Sequence, residues 1–418
     1  MLSVDSQKFD KAAFEVRYRE MRNREEYRNP VGQRYAICLH HAFDLIAAVL
    51  YMKERDGSVL LMHGSTPFES ALELAEQSGC SYLIYRKWDN LYRLSASAAD
   101  YAPSILQYSS GTSRAPSLIA REWKQVDTEV DGYNDLFAET PVMQPVILVS
   151  VTHSFGLITG VMASVARGDE PIIVEDKNPK FALHTIRSLR RPIVYAVPFL
   201  FHVMDALSKG EDRFYKMVVS GSPPSEVLLD RMKSRTEEVW QQYGCTEAGC
   251  ISVSKRPCSA TDVGIPLKHL RVTIDASGGG GEGKGEIVVA NANGTNLVRT
   301  KDMGCYDLRT DRLHVFGRMD DLINVSGFKV IPAEVESVIL QMPGVKECIV
   351  HKTGHNIWGE AVQALIVGDG YIDESSIRSW CIKRLPTYKV PNTIRIVGEI
   401  PRTAAGKISR KQLQEMEM

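Results

Sequence analysis

Through the first two-thirds of the chain, short apolar runs rich in β-branched residues alternate with longer helix-like stretches, and this alternation constrains the fold more than any other feature. PVILVSV (145–151), PIIVED (171–176), PIVYAVP (192–198) and YKMVVSG (215–221) read as strands, and PSEVLLDRMKSRTEEV (224–239) reads as a helix. Strand–helix alternation predicts an α/β domain of mainly parallel sheets flanked by helices. The apolar stretch Leu45 to Met52 is too short to cross a bilayer, is flanked by Asp44 and Lys53, and reads as a core helix.

Beyond about residue 261 the pattern changes. LRVTIDA from Leu270, GEIVVAN and RLHVFG are short alternating strands that predict a subdomain of antiparallel hairpins. The run Ser277 to Gly285 satisfies GxGxxG at Gly278, Gly280 and Gly283, but a strand rather than a helix follows, so it reads as a hairpin loop and not as a dinucleotide fingerprint. From Arg318 the sequence runs helix (PAEVESVILQM), strand (KECIVHKT), strand (AVQALIVG), helix (ESSIRSWCIKRL) and a basic tail. The expected organisation is therefore a large domain, 1–317, and a small α+β domain, 318–418.

With 418 residues, 44% of them hydrophobic, the chain has material for a large core and more than one domain. Fifty basic residues against 51 acidic ones give a net charge of -1, which provides no field to recruit nucleic acid or an anionic membrane and directs attention to a small-molecule substrate. The N-terminal stretch is charged throughout, without an apolar run of signal-peptide length, and the eight cysteines show no CxxC pair or metal-ligand spacing. The expectation is a reduced, cytoplasmic protein whose cysteines are small buried hydrophobes.

Four segments carry chemistry. Tyr108-Ser-Ser-Gly-Thr-Ser-Arg-Ala-Pro116 is a hydroxyl-rich loop suited to phosphate oxygens, although it equally fits a polar turn and lacks the GK[ST] of a Walker A motif. Gln241-Gln-Tyr-Gly-Cys-Thr-Glu247 offers an aromatic to stack on a base, with a hydroxyl and a carboxylate for a phosphate and its magnesium; a strand end with a solvated glutamate is the plainer reading. Arg299-Thr-Lys-Asp302-Met-Gly304 is followed by Gly317-Arg-Met-Asp-Asp321 and continues to Glu334, with an aspartate suited to a bidentate grip on ribose hydroxyls. Pro401-Arg-Thr-Ala-Ala-Gly-Lys407 presents a lysine from a glycine-containing turn.

In this order the segments resemble the core motifs of the adenylate-forming superfamily: acyl-CoA synthetases, aryl-acid ligases and peptide-synthetase adenylation domains. The resemblance covers Tyr108 to Lys407. It implies that Ser109, Ser110, Gly111 and Thr112 lie in the phosphate loop, that Gly221, Ser222 and Pro223 border the adenine, and that Tyr243 and Gly244 form the base-stacking segment. It further implies that Thr246 and Glu247 meet the α-phosphate and magnesium, that Asp302 takes the ribose hydroxyls, that Arg318 contacts ribose or phosphate, and that Lys407 is the mobile catalytic lysine. A carboxylate is a weak nucleophile, and its attack on the α-phosphate of ATP concentrates negative charge that cations must meet. In the family the small domain rotates between adenylation and thioester formation. The hinge matches Asp320, although a surface charge between domains is the alternative, and the stretch Ser326-Gly-Phe328 swings toward a pantetheine thiol.

The sequence also departs from the family. Arg114 replaces a phosphate-loop glycine, Ser117 replaces the loop's lysine, and the early position of Tyr108 implies a shortened first subdomain. Thr152-His153-Ser154-Phe155-Gly156-Leu157 resembles the motif that carries the aromatic gate of the acyl pocket, with His153 as the gate, and Cys245 joins the substrate set. Ser154 stands where relatives that activate amino acids carry an aspartate, which disfavours an α-amino acid. Aryl acids are the expected substrates, including a 3,4-dihydroxybenzoate as in petrobactin-type siderophore pathways. The acceptor is CoA or a separate phosphopantetheinyl carrier. The alternatives are a fatty acyl-CoA synthetase or a catalytically impaired nucleotide-binding protein.

Overall fold

The computed structural model describes residues 1–96, 102–108, 117–138, 140–176, 178–208, 212–278, 283–325, 328–355, 359–402, 410 and 413–414. The chain forms two compact units: Met1–Gly221 with Arg235–Ile251 and Leu267–His269, and Ser222–Ser234 with Ser252–Pro266 and Leu270–Met418.

In the first unit the parallel sheets expected from the strand–helix alternation are present. A six-stranded sheet runs in the order Leu91–Arg93, Tyr82–Arg86, Arg34–Leu39, Ser58–Leu61, Ser104–Tyr108 and Leu118–Glu122. Its inner pairings are parallel and both edge strands are antiparallel. Apolar strand runs such as Arg34–Leu39 and Ser58–Leu61 are buried almost throughout, because helices cover both faces of such a sheet. The core helix read at Leu45 to Met52 is there as Ala42–Lys53, with Leu45, Ile46, Ala47, Ala48 and Val49 all at 1% exposure or less.

The unit's other sheet segment sets Thr236–Cys245, Phe214–Val219, Pro192–Ala196, Gln144–Ile147, Ile172–Ile173 and Leu2–Val4 side by side in parallel, with Gln7–Phe9 antiparallel at the edge. One local expectation is corrected. The helix read over 224–239 ends at Arg235, and 236–239 open a strand instead. Parallel pairing of Phe214 with Thr236 through Val219 with Gln241, together with burial of Val239 and Trp240, outweighs the helical propensity of the Arg-Thr-Glu-Glu segment.

The second unit contains the expected hairpins. Asp262–Pro266, Arg312–Arg318, Val298–Asp307, Lys284–Asn291 and Leu270–Asp275 are antiparallel neighbours in that order. A C-terminal sheet carries Phe328–Val330, Ile323–Val325, Gly359–Gly368 and Val345–His355, with Thr393–Ile396 parallel to Gly359–Gly368. Helices Pro332–Leu340 and Glu374–Ile382 close its core through Val335, Ile339, Ile377 and Cys381. Glu334 on the first of these helices binds Lys284 at 2.8 Å and also Lys389, fastening the hairpin strand Lys284–Asn291 to the C-terminal sheet and helices.

Candidate functional site

The end of strand Thr236–Cys245 and the turn that follows it hold four of the expected nucleotide residues. The strand carries Tyr243, half-buried, and Gly244, exposed; Thr246 and Glu247 lie in the turn, and the chain returns as Gly249–Ser254. Glycine is required on both sides of this narrow hairpin. A Cβ on Gly244 would lie 2.3 Å from the Gly249 carbonyl oxygen, and Gly249 has φ of +73°. The turn thus presents a half-buried tyrosine, hydroxyl and carboxylate from a backbone that has little freedom to shift. Below it, Gln242 donates to the Thr159 hydroxyl at 3.4 Å, and Gln241 and Gln242 are buried.

His153 is exposed and Ser154 is half-buried. The Ser154 hydroxyl donates to Gln107 Oε1 at 2.6 Å, while Gln107 Nε2 donates to the Thr152 carbonyl at 2.7 Å. Gln107 is 6% exposed on strand Ser104–Tyr108, immediately before the hydroxyl-rich loop. Sequence reasoning missed it, although a glutamine inside SILQY is a signal, since a buried amide must find partners. Directly after Ser154 the backbone enters a π-helical stretch, Phe155–Met162, whose wider turn re-aims the side chains that flank the serine. Gly156 fits because a Cβ there would meet the Ser150 carbonyl at 2.4 Å.

In the second unit Asp302 and Arg318 are cross-strand partners: they pair in register, and Arg318 Nη1 donates to Asp302 Oδ1 at 3.1 Å and to the Thr300 carbonyl at 3.2 Å. Asp302 is 8% exposed, so its charge is set against the Arg318 guanidinium rather than bulk water. Gly221 has φ of +92°, and Gly221, Ser222 and Pro223 are exposed. Asp320 is exposed in the short helical turn Met319–Asp321, and its carbonyl accepts from Lys352 Nζ at 3.2 Å.

Ser109, Ser110, Gly111, Thr112, Arg114, Ser326 and Lys407 lie outside the described residues. The strands flanking the hydroxyl-rich loop are described and pair antiparallel up to Tyr108 opposite Leu118. Cys245 is half-buried and Cys258 exposed, whereas Cys38, Cys80, Cys250, Cys348 and Cys381 are buried free thiols. Among the described residues no group of three or more His, Cys, Asp or Glu side chains is placed to hold a metal ion. A lone carboxylate such as Glu247 suits a magnesium ion whose other ligands are phosphate oxygens and water. No helix among the described residues is long and apolar enough to cross a membrane.

The family match and the relatives show an acid–thiol ligase that works through an acyl-adenylate. The chain belongs to the AMP-binding enzyme family, whose model matches residues 56–296, and the model of the AMP-binding enzyme C-terminal domain matches residues 334–407. It is 41% identical over 417 residues to a 3,4-dihydroxybenzoate–[aryl-carrier protein] ligase of Bacillus anthracis, covering 99% of this chain and 98% of that one. It is 33% identical over 229 residues to a 2-succinylbenzoate–CoA ligase of Geobacillus kaustophilus, covering 49% and 46% of the two chains. Among solved structures, ATP-bound MatB from Rhodopseudomonas palustris superposes with a TM-score of 0.86 at 18% identity, over 99% of this chain and 95% of that one. An AMP complex of o-succinylbenzoate coenzyme A synthetase from Bacillus subtilis superposes with 0.82 at 21% identity, over 99% and 95%.

Proposed function

We propose that this ligase adenylates a dihydroxybenzoate-type aryl acid, best represented by 3,4-dihydroxybenzoate, and transfers the aryl group to the phosphopantetheine thiol of a separate aryl-carrier protein, in the cytoplasm, for siderophore or related secondary-metabolite synthesis. One observation carries the reading: the similarity to the Bacillus anthracis aryl-carrier ligase runs over essentially the whole of both chains at 41% identity, so it includes the acyl-pocket segment and the C-terminal region as well as the nucleotide motifs. The pocket chemistry supports it. Ser154 holds a neutral hydroxyl where an amino-acid substrate needs a carboxylate, and the hydroxyl is bonded to neutral Gln107. A neutral polar pair suits phenolic hydroxyls and leaves an ammonium group without a counter-charge.

In this reading Tyr243 and Gly244 stack on adenine beside Gly221 to Pro223, Asp302 takes the ribose hydroxyls, and Arg318 steadies Asp302 while facing ribose or phosphate. Ser109 to Thr112 cradle the outgoing phosphates, and Thr246 with Glu247 hold the α-phosphate and magnesium, which offsets phosphate charge when bound. A carboxylate oxygen of the acid attacks the α-phosphorus, the bond to the bridging oxygen breaks, and pyrophosphate leaves. Lys407 meets the charge that develops between carboxylate and phosphate. The pantetheine thiolate then attacks the acyl carbon and AMP departs. Asp320 serves as the hinge between domains 1–317 and 318–418, and the stretch at Phe328 lines the thiol approach.

The test is acid-dependent exchange of pyrophosphate into ATP, across hydroxybenzoates, cinnamates, fatty acids and amino acids, followed by loading of aryl-carrier protein against CoA. Strong exchange with 3,4-dihydroxybenzoate and faster loading of the carrier are expected. A preference for fatty acids, or for CoA over the carrier, overturns the reading.

A further inference from the structure

We propose that the buried ion pair Arg121–Glu129 is the positioning element of this ligase, a bracket that fixes the catalytic turn Thr246–Glu247 relative to the strand leaving the hydroxyl-rich loop. Arg121 lies on strand Leu118–Glu122, which emerges from that loop, and stands opposite Ile105 in the hairpin register. Glu129 lies on helix Trp123–Asn134. Both side chains are inside the first unit, at 6% and 1% exposure, and Arg121 Nη2 donates to Glu129 Oε2. The other carboxylate oxygen, Glu129 Oε1, accepts the backbone N–H of Cys250 at 2.8 Å.

Cys250 is three residues beyond Glu247, so one carboxylate grips both the strand leaving one loop and the backbone leaving the other. Gly249 makes the fit tight. Its φ of +73° is disfavoured for other residues, and a Cβ there would lie 2.2 Å from Glu129 Oε2 and 2.6 Å from both terminal guanidinium nitrogens of Arg121. The ion pair therefore packs directly on the turn's backbone. A buried pair held for stability alone is readily replaced by apolar side chains, whereas this one makes a charge-assisted bond to the Cys250 amide, in the strand that leaves the turn. His269, a further ionisable neighbour, packs its Nδ1 side toward Gly132; burial lowers its pKa, with Glu129 opposing that shift and Arg121 adding to it.

This inference rests on the reading that Thr246 and Glu247 meet the nucleotide, and the experiment separates the two. Glu129→Gln keeps the size and an acceptor but loses the charge; Arg121→Lys keeps the charge but loses the fork geometry. The measurement is acid-dependent pyrophosphate exchange at varied ATP, acid and magnesium, on full-length protein whose fold is checked by circular dichroism and thermal unfolding. For folded Glu129→Gln the expected result is a fall in kcat of about 10- to 100-fold, the size of effect seen when reacting groups shift by about 1 Å, with KM for the aryl acid unchanged and a raised magnesium requirement. A folded Glu129→Gln enzyme with kcat near the parent value overturns the proposal, as does a change confined to KM for the acid. If Glu129→Gln does not fold, Arg121→Lys decides by the same two results. Glu247→Gln is the control for the underlying reading. If it loses exchange while folded Glu129→Gln keeps it, the bracket fails alone; if Glu247→Gln is fully active, the assignment of the turn fails and the bracket with it.

Discussion

Replacing Asp302 by asparagine tests the ribose site by subtraction, because the structure limits what else the change disturbs. Asp302 is 8% exposed and is bonded by Arg318 Nη1 at 3.1 Å, but Arg318 also holds the Thr300 carbonyl at 3.2 Å, so the guanidinium retains a partner after the charge is removed. The pair is partly exposed on the arginine side, and its loss costs about 1 kcal/mol of stability, so the variant folds. In the binding site the arithmetic differs. Hydrogen bonds to a charged group are worth roughly 1.5–3 kcal/mol each, and asparagine offers one carbonyl oxygen in place of two anionic ones. Losing about one such bond, about 2 kcal/mol, raises KM for ATP about 30-fold. Ribose contacts are made equally in ground and transition states, so kcat at saturating ATP stays close to the parent value. The assay is acid-dependent pyrophosphate exchange with ATP titrated from micromolar to millimolar. An unchanged KM for ATP in a folded Asp302→Asn protein refutes the ribose assignment, and a fall in kcat alone shows that the residue acts on the chemistry instead.

Other expected outcomes follow from the same reasoning. Lys407→Ala abolishes adenylation while leaving thermal unfolding unchanged; near-normal adenylate formation by the folded variant removes the lysine from the mechanism. Asp320→Pro spares pyrophosphate exchange but slows carrier loading, and equal loss in both assays ends the hinge assignment. Gln107→Leu strips the Ser154 hydroxyl and the Thr152 carbonyl of their partners, lowering stability by about 2 kcal/mol and raising KM for the aryl acid with little effect on KM for ATP; comparing the two KM values checks this. Glu175 accepts the Ala42 amide at 2.9 Å, and burial, aided by the Asp5 and Asp44 carboxylates, pushes its pKa up from 4.5 to about 7, with Asp44 itself paired to Arg17. A carboxyl whose pKa is raised by folding stabilises most below pH 4.5 and loses that contribution as pH rises through about 7. With the group half-exposed and screened, the loss is about 1 kcal/mol. Glu175→Gln flattens this fall in a pH series of urea melts, and a parallel curve for the variant assigns the pH dependence elsewhere.

What could be read from the sequence was what local rules govern. The parallel strands, the core helix at Ala42–Lys53 and the hairpins after residue 261 follow from period and composition, because a strand buried by helices has few alternatives to an apolar run. The family was legible for a similar reason: its motifs are short contiguous segments with strict local backbone demands, as the Gly244–Gly249 hairpin has. The strand that opens at Thr236 was misread as helix because Arg-Thr-Glu-Glu has helical propensity, and only its pairing with Phe214–Val219 decides otherwise. Gln107 and Glu129 went unread because their partners, Ser154 and Cys250, are 47 and 121 residues away. No spacing rule reaches that far.

This division places different properties of the enzyme in different kinds of residue. Local motifs supply the groups proposed to touch nucleotide in the first half-reaction. The long-range buried contacts decide where those groups point and what lies beside them. Ser154 takes its hydroxyl orientation from Gln107 on the strand before the hydroxyl-rich loop, and the Thr246–Glu247 turn takes its backbone position from Glu129 and Arg121 on the helix and strand after it. Strands Ser104–Tyr108 and Leu118–Glu122 therefore carry one anchor each, Gln107 and Arg121. These two strands pair with each other up to Tyr108 opposite Leu118, and connecting segments between paired strands tolerate sequence change better than the strands do. Arg114 and Ser117, where the family carries glycine and lysine, are substitutions in the segment between these strands. Restoring glycine and lysine there should change kcat less than removing either anchor, which is the order opposite to that expected if loop composition alone set activity.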